Sequence, residues 1–286
     1  MNQVSTAKAE PLAYPIRILS DLHYGNRASQ VTSPRSVAPL FQGMGTVILN
    51  GDTFDLRHAQ REGTDSTPEC SFETLAAEAG CRLIKVAGNH DPDCSTVYHL
   101  DLMDKRVLIT HGDVLYPEIA PWSRFAAQFR AMIETELAEL GHPEEHTLEH
   151  LLETNKKVAR EILNQPDFYF PTNEGFFRHL LRYLWPPFRV LRILDCWRRL
   201  PGCAVELAEQ HRPEATLLIM GHTHYPGIWK RRGRTVINTG SFLPWLGRLC
   251  VDLHPDRVEV RRIRHRNGQF EPGRLKRKNQ VLAPDQ

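Results

Sequence analysis

Five short patches of Asp, Asn and His, each at the end of an aliphatic run, constrain this 286-residue chain more than any other feature. They read Asp21-Leu22-His23, Gly51-Asp52-Thr53-Phe54-Asp55, Gly88-Asn89-His90-Asp91, His111-Gly112-Asp113 and Gly221-His222-Thr223-His224. The runs at 16–19, 47–49, 83–86, 107–109 and 217–219 are rich in Val, Ile and Leu. Runs of that length and composition read as buried strands, as in a sheet covered by helices. Each patch then stands at the C-terminal tip of a strand, the edge where α/β sheets bind ligands.

Composition divides the rest of the chain. Residues 14–115 and 214–264 carry the β signal, with one helix expected at 72–79 and stopped by Gly80. Stretches 25–39 and 57–69 are rich in Gly, Ser, Thr, Pro and charge and read as loops at the sheet edge. From 116 to 213 the pattern turns helical, over 125–140, 148–163, 176–185 and 188–200. Gly141-His142-Pro143, Pro166, Pro171 and Pro186-Pro187 separate these helices. A structureless loop of that length is implausible, so the segment reads as a helical insertion, a lid or cap. Strands return at 216–220, 227–230, 234–238, 248–253 and 257–263, with a hairpin turn at Gly233. The basic tail, 265–286, has few apolar residues and reads as solvated or loosely docked.

Charge selects no partner, because 36 Lys and Arg nearly cancel 34 Asp and Glu. No aromatic platform accompanies the basic tail, so nucleic acid is not an expected partner. Six cysteines without a CxxC pair read as reduced thiols of a cytoplasmic protein. Residues 1–13 hold no apolar core of a secretory leader, and no uninterrupted apolar stretch approaches the roughly 18 residues of a spanning helix.

The patches themselves carry the chemistry. Asp21, Asp52, Asn89, His23, His111, His222 and His224 offer carboxylate, amide and imidazole donors and no thiolate. Such a set suits hard or borderline divalent ions and argues against iron–sulfur or soft-metal sites. Seven donors exceed the usual four of a lone structural zinc. With one bridging carboxylate they serve two ions, which at a separation of roughly 3.5–4 Å can clamp a phosphoryl group and acidify a water. Gly51, Gly88, Gly112 and Gly221 leave room for sharp turns and close approach at the strand ends.

In this order the motifs DLH, GDTFD, GNHD, HGD and GHTH resemble the calcineurin-like metallophosphoesterase superfamily, from about residue 16 to 250. The resemblance implies a four-layer α/β/β/α sandwich, here with a helical insertion as a lid. It assigns one metal to Asp21, His23, Asp52 and His224. It assigns the second to Asp52, Asn89, His111 and His222, with Asp52 bridging. His90 then assists the leaving-group oxygen or steadies charge on the phosphoryl group, and Asp91 orients His90. Asp55 and Asp113 support ligands, as does the turn Asn238-Thr239-Gly240-Ser241. Manganese is the first expectation for the ions, with Fe, Zn or Mg as alternatives.

The opening patch, the GDTFD patch and the long helical segment between HGD and GHTH together also resemble the UDP-2,3-diacylglucosamine pyrophosphatase branch, in which an insertion caps the site and receives acyl chains. That branch usually has Arg in its third patch, whereas this chain has His90, as in ordinary phosphomonoesterases and phosphodiesterases. The expected substrate is therefore a phosphorylated small molecule or a lipid-linked phosphate. A phosphoprotein phosphatase and a non-catalytic interaction module remain alternatives. Across 176–200 six arginines alternate with Phe, Leu and Trp. That pattern fits either a helix packed on its own domain or a peripheral contact with an anionic membrane.

Overall fold

Alternation along the strands sets the architecture. The computed structural model describes residues 12–55, 68–165 and 188–280. In β1 (Ile16–Leu19), Ile16 and Ile18 enter one apolar cluster and Leu19 enters another. The neighbouring strand β2 (Thr46–Asn50) does the same, Ile48 facing one way and Val47 and Leu49 the other. A strand buried on both faces needs cover on both, and the chain supplies it as four layers.

Six strands form the first sheet, in the order β11-β10-β9-β1-β2-β3. Its further members are β3 (Arg82–Val86), β9 (Leu249–Leu253), β10 (Arg257–Arg266) and β11 (Gln269–Gln280). The second sheet runs β4-β5-β6-β8-β7. It comprises β4 (His99–Leu102), β5 (Val107–Thr110), β6 (Leu217–Met220), β7 (Gly227–Arg231) and β8 (Arg234–Asn238). Ile16, Ile18, Ile48 and Val251 of one sheet meet Val107, Ile109, Leu217 and Ile219 of the other in the central core.

Helices close the two outer faces. A 3-10 helix, Pro34–Leu40, and α1 (Pro68–Ala79) cover the first sheet, with Val37, Leu40, Phe72 and Leu75 against Leu19, Val47 and Leu49. On the second sheet, α3 (Leu148–Leu163) and α4 (Phe188–His211) lay Leu148, Leu152, Leu200, Ala204 and Val205 over Leu108, Leu218 and Val236. Helix α2 (Ala126–Glu139) packs on α3 through Phe129 and Ile133. The expected sandwich is present.

Within the segment 116–213, α3 and the C-terminal half of α4 supply the fourth layer, because their apolar stripes are what the second sheet needs for cover. Two expectations need correction. Helix α4 continues through Pro201 to His211, the burial of Ala204, Val205 and Ala208 on the sheet outweighing the break that proline favours. The stretch 176–185 lies outside the described residues.

The second correction concerns the tail. Instead of a solvated end over 265–280, β10 and β11 form an antiparallel hairpin through Asn267-Gly268, both at positive φ; 281–286 lie outside the described residues. Phe270 on β11 is fully buried, edge-on to Phe242 at 5.0 Å between ring centres. Charged residues line the rest of β11 because an edge strand shows much of its surface to water.

Candidate metal centre

The patches leave their strands in left-handed steps. Asp21 (φ 54°), His23 (48°), Asp52 (49°), His222 (67°) and His224 (61°) all have positive φ. That conformation strains any residue with a Cβ, though Asp and His tolerate it better than most, and such strain gathers at functional sites. Backbone bonds stitch the steps together. Asp21 N–H donates to the Gly51 carbonyl at 3.0 Å, and His23 N–H to that of Asp52 at 2.9 Å. Gly221 N–H reaches the His111 carbonyl at 2.8 Å, and His222 N–H the Asp21 carboxylate at 3.1 Å. The two sheets thus converge on one edge.

There the donors fall into two groups that share one residue. One ligand atom each from Asp21, His23, Asp52 and His224 lie within 4.8 Å of one another, and the same holds for Asp52, His111 and His222. Asn89 joins the second group, its Oδ1 3.2 Å from His111 Nε2. In the first, His23 Nε2 and His224 Nε2 stand 3.0 Å apart, and His224 Nε2 is 3.2 Å from Asp21 Oδ1. In the second, His111 Nε2 is 3.3 Å from Asp52 Oδ2. Donors about 2.0–2.3 Å from a common ion lie about 3–4.5 Å from each other, so both groups fit a divalent cation. All seven residues chosen from sequence meet at this edge.

The surroundings hold the donors in place. His111 Nδ1 is 3.1 Å from the Asn50 carbonyl, and His222 Nε2 is 2.7 Å from that of Ile119. A carbonyl on one ring nitrogen fixes the tautomer and frees the other nitrogen for a metal. Ser20 Oγ donates to Asp21 and lies 2.5 Å from Thr239 Oγ1. Asn238 Nδ2, at the end of β8, donates to the Gly221 carbonyl at 2.5 Å. Gly221 itself must stay small, since a Cβ there would come to 2.1 Å from Asp21 Oδ2.

Electrostatics separate the histidines. Burial pushes His23 and His222 down to about 4, so both rings are neutral at pH 7 and present lone pairs. Burial also opposes charge on His111, but Asp52 overrides it and pushes that ring up to about 9. An ion entering the second group therefore displaces a proton from His111 at neutral pH.

His90 faces a different partner from the one expected. Its side chain is 33% exposed, and its Nδ1 lies 3.4 Å from Asp55 Oδ2, which Asn26 Nδ2 also holds at 2.7 Å. Against the cost of burial, Asp52 and then Asp55 push His90 up to about 10. Asp91, expected to orient His90, instead accepts four backbone N–H groups, from Asp52 at 3.0 Å, Thr53 at 2.8 Å, Phe54 at 3.1 Å and Gly88 at 2.8 Å. Burial and the neighbouring Asp52 charge raise Asp91 to about 6. It clamps the turn that carries Asp52. Asp55, Asn26, Ser20 and the Ile119 carbonyl are the functional contributors not placed from sequence in these roles.

No protein-family model matches the chain, and no curated protein does. Solved structures of metallophosphoesterase type are similar in outline. A phosphoesterase, YfcE, from E. coli shares 17% identity over 93% of this chain and 99% of its own, at a TM-score of 0.38. A dimetal phosphatase from Danio rerio shares 14% over 88% and 96%, at 0.43. Vps29 from Chaetomium thermophilum shares 12% over 96% and 100%, at 0.44.

Proposed function

We propose that this protein is a dimetal-dependent phosphoesterase, hydrolysing a phosphomonoester, phosphodiester or pyrophosphate bond. The observation that carries the reading is Asp52, whose carboxylate belongs to both donor groups. Asp21, His23 and His224 would complete one ion's shell and Asn89, His111 and His222 the other's, with manganese the first candidate. Such ions, when bound, draw charge from a phosphoryl group and acidify water. The protein's own part is to hold seven donors in a prestrained frame and to keep a proton ready on His90. With Nδ1 turned to Asp55, the Nε2–H of His90 is the group that gives a proton to the leaving oxygen.

A lipid-linked phosphate is the finer reading, and one surface favours it. Tyr225, directly after His224, stacks on Trp197 of α4 at 4.5 Å between ring centres. From Trp197 the same helix exposes Leu194, Leu191 and Phe188, at 50–67% of their surface. An apolar strip thus runs outward from the candidate centre, suited to an acyl chain or a membrane surface. Among the described residues no helix is long and apolar enough to cross a membrane.

The test is a screen of purified protein with Mn²⁺ on p-nitrophenyl phosphate, its bis ester, nucleotide-linked acyl sugars and phosphopeptides. Wild type should turn over at least one non-peptide phosphate, and Asp52→Asn should lose 100-fold or more of that rate, since each ion loses a charged ligand. Full activity in Asp52→Asn refutes the shared-ligand chemistry. Inactivity of wild type on every substrate favours an interaction module.

A further inference from the structure

Helix α3 carries a lysine that the proposed chemistry does not use. Lys156 and Asp113 are both completely buried, with Lys156 Nζ donating to Asp113 Oδ2 at 2.6 Å. Taking two charges out of water is costly, and an apolar pair of similar volume often serves stability as well or better. Stability alone therefore gives a weak reason for the pair. Its location gives a stronger one. Asp113 follows His111-Gly112 and opens the short 3-10 turn Asp113–Leu115, so the pair ties the His111 end of β5 to α3.

The same helix also reaches the other imidazole of that donor group. Val158, Ala159 and Ile162 of α3 pack with Ile119, whose carbonyl lies 2.7 Å from His222 Nε2. Ile119 has φ 55°, a conformation that a β-branched residue holds only when its surroundings impose it. Thus α3 is tied to the turn after His111 through Asp113 and to the His222 partner through Ile119. In the first group, Asp21 takes hydrogen bonds from Ser20 and Ser241 in addition to the His222 backbone, and His23 N–H donates to the Asp52 carbonyl, none of them from α3.

We infer that Lys156 is a positioning residue for the second ion, holding the Asn89–His111–His222 group to binding geometry while the first group stands without it. The inference rests on the dimetal reading, since it concerns the affinity of one of the two proposed ions.

The experiment titrates Mn²⁺ into the full chain by calorimetry, counts bound ions by elemental analysis, and records thermal melts without metal. Wild type, Lys156→Met and the double variant Asp113→Asn/Lys156→Met are compared. Wild type should bind two ions. Both variants should hold the first ion within twofold of wild type and the second at least tenfold more weakly. The double variant leaves no lone buried charge, so it should regain most of the melting temperature lost by Lys156→Met, yet not the second ion. Recovery of both stability and the second ion in the double variant would make the pair merely structural and overturn the inference, as would equal weakening of both ions. Fewer than two ions on wild type overturns the dimetal reading itself, and the inference with it.

Discussion

At the scale of single residues, the candidate centre separates neutral imidazoles from a charged one. His23 and His222 are held neutral by burial, while His90 keeps its proton beside Asp55. An ion held by Asp52 would offset that carboxylate's charge, leaving Asp55 as the main support of charged His90. Replacing Asp55 by Asn removes that support, so the pKa of His90 falls. A proton donor works only below its pKa, so the falling limb of kcat against pH should move to lower pH in Asp55→Asn. At pH 7, kcat should drop about 10–100-fold with KM little changed. A pH–rate profile from pH 6 to 10 checks this, and an unmoved limb would sever Asp55 from His90. The donors were legible in sequence because Asp, Asn and His at strand ends announce their chemistry. The partner of His90 was not, because the family resemblance pointed to Asp91, whose oxygens are spent on backbone N–H groups. Nor could any pattern show five donors at positive φ, which only the crossing of the strands imposes.

At the scale of elements, the edge hairpin decides how much of the C-terminal region belongs to the core. Phe270 is fully buried with Phe242 and under the guanidinium of Arg248, 5.0 Å from the ring centre. Phe270→Ala should therefore cost about 3–5 kcal/mol in chemical denaturation, the range for a buried phenylalanine. A loss below about 0.5 kcal/mol, the surface range, would return the segment to a loose tail. The central strands were readable because both faces are buried and the runs are almost purely aliphatic. Strand β11 was missed because its charges mask the alternation at a sheet edge. Asn267-Gly268 was its real signal, the dipeptide that favours two-residue hairpin turns. The four-residue strand β4 escaped for a similar reason, its HLDL sequence being only partly buried at the edge of the second sheet. Helices α2 and α3 were placed within a residue of their ends, whereas the length of α4 past Pro201 followed from packing that sequence does not display.

At the scale of the whole molecule, the four layers act as a vice. Two sheets lean together over an aliphatic core, and their strand ends bring patches far apart in sequence to one edge, as His23 and His224 show at a sequence separation of 201. Helices α3 and α4 complete the body on the second sheet, and α3 lies behind the second donor group. What the reading needs above all is two cations on either side of the Asp52 carboxylate. Crystals soaked in MnCl₂ and measured at the manganese edge test that directly. The expected result is two anomalous peaks about 3.5–4 Å apart, one ringed by Asp21, His23 and His224, the other by Asn89, His111 and His222. A single peak, or peaks away from Asp52, would contradict it.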